Sequence, residues 1–356
     1  MAPVTPPVKP MLAKAVHELP PADEGDLIFE PKWDGFRCII FRDGDDVELG
    51  SRNQRPFTRY FPELIEPVLA QFPDRAVIDG ELVVPGPEGL DFDALGQRIH
   101  PAESRVRMLA EATPASFVAF DLLSLGDRDL MEEPFAERRR LLEEVAADFS
   151  SPFLLTQSTV DRAVAQEWFE RFEGAGFDGV MAKPADGPYV EDKRVLFKVK
   201  QQRTADCVVA GYRIHKSGDG VGSLLLGAND DEGNLRHLGV ASSFKAADRP
   251  LLLEKLSELH LDDITQHPWG GWASQTAETA DGSMPGGPNR WNAQKDMSWI
   301  PIDPVLVAEV RYEHATGGRF RGVARLSRWR PDREPASCHV SQLDHGVPDE
   351  IRQIFG

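Results

Sequence analysis

Cysteine is nearly missing: the 356 residues hold only Cys38, Cys207 and Cys338, far apart and with no Cys-x-x-Cys pair. That argues against a disulfide framework and a cysteine-based zinc module, and fits a reducing compartment. Long apolar runs are missing too, and nothing approaches the roughly 20 residues a membrane-spanning helix needs. Met1 to Pro10 carries proline without an apolar core, so no signal peptide is expected. The third absence is basic charge. Lys and Arg total 40 against 58 Asp and Glu, a net charge of −18. A protein that coats nucleic acid non-specifically should be basic, so this balance counts against such a role. The expectation is a soluble cytoplasmic protein without a membrane partner.

What is present suits a folded core: 41% of residues are hydrophobic and 28% charged. At about 150 residues per domain the length suggests two domains. In the first half, Phe36 to Phe41 and Val47 to Leu49 flank Asp43-Gly44-Asp45 and read as a hairpin. Pro62 opens a helix. Ala76 to Val84, Ser116 to Leu123, Gly179 to Lys183 and Val195 to Lys200 read as strands. Phe135 to Asp148 and Asp161 to Glu173 read as amphipathic helices. Past residues 201–205 the pattern changes to five strand candidates: Cys207 to Tyr212, Ser223 to Ala228, Leu235 to Ala241, Val305 to Tyr312 and Val323 to Trp329. A helix from Ala247 to Leu259 lies among them, which suits a small OB-type barrel. His267 to Asn292, rich in Gly, Pro, Trp and Ser, reads as a long loop.

Several residues carry chemistry in their type and spacing. Lys32, in Glu30-Pro31-Lys32-Trp33-Asp34-Gly35-Phe36-Arg37, is readable as a surface cation or as a nucleophilic amine. With a free pKa near 10.4, only about one such amine in a thousand is unprotonated at neutral pH, so a nucleophile needs cationic neighbours. Lys198 and Lys200 stand two apart in a strand and share a face, as an edge pair or as a phosphate clamp that would also lower the pKa of a nearby amine. Asp79 and Glu81 interrupt one apolar run and Asp178 another. Buried acids need partners, so these are read as salt bridges, a hairpin turn, or carboxylate ligands for Mg²⁺. Phe120 reads by default as core. Gly174 to Gly179 spells GxGxxG, but a helix precedes it and a strand follows, the reverse of a dinucleotide fingerprint. From Arg311 to Arg333 seven arginines face two acids, Glu313 and Asp332, a solvated basic strand or a phosphate-binding stripe.

Taken in order, from about residue 10 to 335, these motifs resemble the covalent nucleotidyltransferases: ATP-dependent DNA ligases, RNA ligases and mRNA capping enzymes. The match is closest to the small bacterial, actinobacterial DNA ligases of the ligase C type. The resemblance implies an α+β fold. A nucleotidyltransferase, ATP-grasp-like domain of antiparallel sheets and helices (1–203) would precede a five-stranded OB-fold barrel (204–356). It implies ATP and Mg²⁺ (or Mn²⁺) as cofactors, and Lys32 as the nucleophile that forms a lysyl-AMP. Glu30 would sit by the adenine edge, Phe120 would stack on adenine, and Glu81 would hold the ribose hydroxyls and help bind metal. Arg37 and Arg52 would lie near the ribose and the nick phosphate. Asp178 would position metal where many relatives carry Glu. Lys198 and Lys200 would grip the α-phosphate, and Arg330 and Arg333 would orient the pyrophosphate. The implied substrate is nicked or short-gapped double-stranded DNA, sealed by a monomer in DNA repair beside a repair polymerase. An RNA ligase or guanylyltransferase, and a non-catalytic OB-fold nucleic-acid-binding protein, remain the alternatives.

Overall fold

The computed structural model describes residues 2–21, 25–86, 89–171, 177–200, 203–270 and 298–343. The described residues up to Lys200 form one compact unit, and those from Arg203 to Leu343 form another. No helix among the described residues is long and apolar enough to cross a membrane.

The first unit is built on two sheets. Its strands are β1 (Leu12–Val16), β2 (Leu27–Trp33), β3 (Phe36–Asp43), β4 (Asp46–Ser51), β5 (Arg75–Val83), β6 (Ser116–Leu125), β7 (Phe153–Leu155), β8 (Phe177–Pro184) and β9 (Arg194–Val199). One sheet runs β1-β9-β8-β2 and the other β7-β6-β5-β3-β4. The β3–β4 hairpin closes where expected, Asp43 facing Asp46. Gly44 takes φ +66° there, the left-handed backbone a two-residue hairpin loop demands. β5 is central, and its alternation feeds two cores. Ala76, Ile78 and Leu82 pack in one cluster with Phe61, Leu64, Phe117 and Phe153. Val77 faces the other way, with Ile39, Phe41, Leu123, Leu196 and Tyr189. That second cluster takes side chains from both sheets and so lies between them. Val4, Val8 and Met11 of the proline-rich start are buried in it as well.

The sheets are not purely antiparallel, as had been expected. β1 pairs parallel with β9, and β7 parallel with β6. Pro62 opens a 3₁₀ turn that leads into α1 (Ile65–Gln71), whereas β1 and two further helices, α2 (Phe92–Arg98) and α3 (Glu103–Ala112), carry too little apolar periodicity to be legible: α3 buries only Val106 and Leu109. The expected helices are present as α4 (Phe135–Val145), which continues as a short 3₁₀ turn, and α5 (Arg162–Arg171). α5 precedes β8, in keeping with the reversed order around the GxGxxG string, of which 174–176 lie outside the described residues.

The second unit holds β10 (Arg203–Ile214), β11 (Val221–Asn229), β12 (Leu235–Ser242), α6 (Asp248–Ser257), β13 (Ile300–Tyr312) and β14 (Arg325–Trp329). All five strands join one sheet in the order β12-β11-β10-β13-β14, and this path is open. An isolated parallel bridge joins Ala241 to Ala324. The loop expected over 267–292 begins as core instead: Trp269 is 1% exposed and its Nε1 donates to the Leu235 carbonyl at 2.7 Å. The rest of it lies outside the described residues.

Candidate active site

Lys32 reaches its position through strand alternation. On β2, Leu27 and Phe29 pack into an apolar cluster with Ala165 of α5, which leaves Glu30 and Lys32 on the opposite face. Met181 of β8 is registered with Glu30 on one side and Lys198 on the other, so all three share that face. The β8–β2 register is irregular between Phe177 and Val180, and within it Gly179 takes φ +114°. A Cβ at Gly179 would stand 1.9 Å from the Val199 carbonyl oxygen, so glycine alone permits this approach. Asp178 sits in the bulge. Its Oδ2 lies 2.6 Å from Lys32 Nζ and 2.9 Å from Lys200 Nζ. Two lysines 168 positions apart in the sequence therefore share one carboxylate oxygen.

The second sheet adds the next layer. Gly35 ends the Lys32 motif against β5, where a Cβ would lie 2.1 Å from the Leu82 carbonyl oxygen and 2.9 Å from Glu81 Cγ. Arg37 on β3 is registered with Glu81 on β5. Burial pushes the Glu81 carboxyl up to about 7; Arg37 and Lys32 pull it down, and Asp34 and Asp79 add to the rise. Arg37 also forms a fork-to-fork pair with Asp79, which is wholly buried.

Glu30 and Phe120 are more enclosed than their expected roles at a base suggest. The Glu30 carboxylate is 2% exposed and is held by Lys183 at 2.7 Å and Arg139 at 3.2 Å. The Phe120 ring lies 4.4 Å from the Arg37 guanidinium and 4.7 Å from Lys183 Nζ. Arg52 is exposed just beyond β4. Arg330 and Arg333 belong to the other unit. Arg330 is paired there with both oxygens of Asp206 at 3.0 Å and with Asp332 at 2.7 Å, and Arg333 lies 3.5 Å from Asp206. The arginine stripe is thus compensated by acids from neighbouring strands, Asp206 and Glu309, which a count along residues 311–333 leaves out. Asp206 and Glu309 face each other across β10 and β13.

Among the described residues no three His, Cys, Asp or Glu gather as a metal cluster. Asp178 and Glu81 are hard oxygen donors, and they fit an ion that takes one or two carboxylates and completes its shell with phosphate oxygens. Lys183, Arg139 and Tyr189, which tie this site together, were not singled out from the sequence. The only signal for Lys183 is a charge that directly follows the apolar Val180-Met181-Ala182 run.

Two family descriptions match the chain: "ATP dependent DNA ligase domain" over residues 10–200 and "ATP dependent DNA ligase C terminal region" over residues 217–333. The chain belongs to the ATP-dependent DNA ligases. Among ligases of this family it is 57% identical over 346 residues to DNA ligase C2 of Mycolicibacterium smegmatis, covering 96% of each chain. It is 55% identical over 360 residues to DNA ligase C of Mycobacterium tuberculosis, covering 99% of this chain and 98% of that one. A solved Lig E DNA ligase shares the fold, with a TM-score of 0.54 at 18% identity, over 90% of this chain and 99% of that one. The resemblance to small actinobacterial ligases holds. ATP is the nucleotide of this ligase family.

Proposed function

We propose that this ATP-dependent DNA ligase seals 5′-phosphate/3′-hydroxyl nicks with Lys32 as its nucleophile. The observation that carries the proposal is the Lys32–Asp178–Lys200 cluster, with both ammonium groups on one carboxylate oxygen. In the first step Lys32 Nζ, freed of a proton, attacks the α-phosphorus of ATP. A P–N bond forms, the bond to the pyrophosphate oxygen breaks, and lysyl-AMP remains. AMP then passes to the 5′-phosphate at a nick, and the 3′-hydroxyl displaces it. Nucleotidyl transfer is governed by in-line positioning and charge stabilisation, and the residues divide along those lines. Lys198 and Lys200 grip the α-phosphate. Glu81 holds the ribose, Glu30 lies toward the adenine edge, and Phe120, already in contact with Arg37 and Lys183, supplies the ring for adenine. Arg37 and Arg52 serve the ribose and nick phosphate, and Arg330 and Arg333 the pyrophosphate. Asp178, with Glu81, would hold Mg²⁺ or Mn²⁺, which when bound offsets the carboxylate charge and stabilises the leaving pyrophosphate.

The assigned domains are an adenylyltransferase over 1–203 and an OB fold over 204–356. The bridge between Ala241 and Ala324 supports closing the five-stranded sheet into a barrel. Nicked or short-gapped duplex DNA is the substrate, a monomer the working form and the cytoplasm the place. A role in repair beside a polymerase has one further support. A Mycobacterium tuberculosis protein named "Multifunctional non-homologous end joining DNA repair protein LigD" is 31% identical over 320 residues, although this chain covers only 36% of it.

The test is incubation of the purified protein with Mg²⁺ and α-labelled ATP or GTP, followed by denaturation. Label retained from ATP, absent in Lys32→Ala, supports the reading. Retention from GTP alone points to a guanylyltransferase, and none from either nucleotide removes the covalent mechanism.

A further inference from the structure

Arg37 spends Nε and Nη2 on Asp79. It makes no other hydrogen bond among the described residues, so Nη1 is left over on a side chain that is 19% exposed. Asp79 is a charged carboxylate with no exposure at all, and burial on that scale requires more than one partner. The second partner comes from 110 residues further on. Tyr189 Oη donates to Asp79 Oδ2 at 2.7 Å and accepts from the Met11 backbone N–H at 3.4 Å. Burial, then the charge of Asp79, keeps the phenol pKa well above its usual value, so the hydroxyl stays a donor. The ring itself cannot drift: it is 3% exposed among Val4, Val8, Met11 and Leu196, and the Tyr189 backbone N–H donates to the Met131 carbonyl at 2.7 Å.

We propose that Tyr189 is a positioning residue: by fixing the rotation of the Asp79 carboxylate it aims the Arg37 guanidinium at a phosphate-bearing ligand. The proposal rests on the reading of Arg37 given above and adds the device that holds it. A carboxylate bound by one guanidinium alone can rock about its Cβ–Cγ bond and carry the fork with it. A hydrogen bond on one oxygen, from a ring locked in the core between the sheets, removes that freedom. Phe120 closes the other side, its ring 4.4 Å from the guanidinium carbon. A planar fork held on two sides presents its remaining edge in one orientation, which is what phosphate oxygens reward.

The experiment is single-turnover sealing of a nicked 5′-phosphate duplex at saturating ATP, for Tyr189→Phe, Arg37→Lys and the double variant. Tyr189→Phe keeps the packed ring and removes only the hydroxyl. It is expected to slow sealing about tenfold, the scale of one hydrogen bond to a charged group. In the Arg37→Lys background the same change is expected to alter sealing less than about twofold, because its effect runs through Arg37. Asp79→Asn should show the same dependence on Arg37. An unaffected Tyr189→Phe protein, or equal slowing in both backgrounds, overturns the proposal and leaves the reading of Arg37 standing. If Arg37→Lys seals at the wild-type rate, that reading fails and the proposal fails with it.

Discussion

Asp178 holds two cations at once: one of its carboxylate oxygens lies 2.6 Å from Lys32 Nζ and 2.9 Å from Lys200 Nζ. Asp178→Asn removes the carboxylate charge that Lys32 and Lys200 share and one of the two carboxylates proposed for the metal. Lysyl-AMP formation is expected to fall by about a hundredfold or more, the scale seen when one charge-stabilising group is lost. Pre-steady-state labelling with ATP measures it, and a rate within a few-fold of wild type would show that Asp178 is structural. At this scale the sequence was informative where an acid in an apolar run needs a reason, as Glu81 and Asp178 do, and where Lys198 and Lys200 share one strand face. It was silent on Tyr189 and Asp206, whose partners lie 110 and 124 residues away. Nothing local marks a tyrosine hydroxyl as bound to a particular aspartate, or a strand aspartate as bound to a particular arginine.

Among the elements, those with a strong period were legible and those joined by sparse contacts were not. β5 was marked by its apolar run, and the β3–β4 hairpin by Gly44. α3 and the parallel partner β1 were not, because only tertiary packing fixes them. Gly35 shows how an element carries the site. It joins β2 to β3 at the point where the chain lies against Leu82 and Glu81. Gly35→Ala would force a Cβ into backbone, not into a flexible side chain. Overpacking of this kind costs about 1–3 kcal/mol, and here it must also push Lys32 away from Glu81. Urea unfolding should show a lowered midpoint, with a fall in adenylylation that stabilising cosolvents do not restore. A variant as stable and as active as wild type would mean that the close approach is not needed.

At the scale of the whole chain the net charge is −18, yet the arginine-rich end of the second unit meets acids in pairs. The arginines of β14 and beyond meet Asp206, Glu309 and Asp332, and Glu309 and Asp332 respond. The hydrogen bond from Arg330 holds the Asp332 carboxyl down at about 2, and the hydrogen bond from Arg328 lowers Glu309. Depressed carboxylate pKa values stabilise the fold above the ordinary carboxylate range, and that contribution is lost as pH falls toward 2. Asp332 and Arg328 are exposed and Arg330 and Glu309 partly buried, so solvent screens each pair and each contributes little alone. The urea midpoint should therefore drop between about pH 5 and about pH 2, and drop less in Arg330→Met. An identical pH dependence in the two proteins would count against the network.

The most direct measurement is mass spectrometry of peptides from the protein after exposure to ATP and Mg²⁺ without DNA. The account predicts one adenylyl adduct, on the Nζ of Lys32, that disappears when nicked duplex is added. An adduct on a different side chain, or unmodified Lys32 in a protein that still seals nicks, would contradict it.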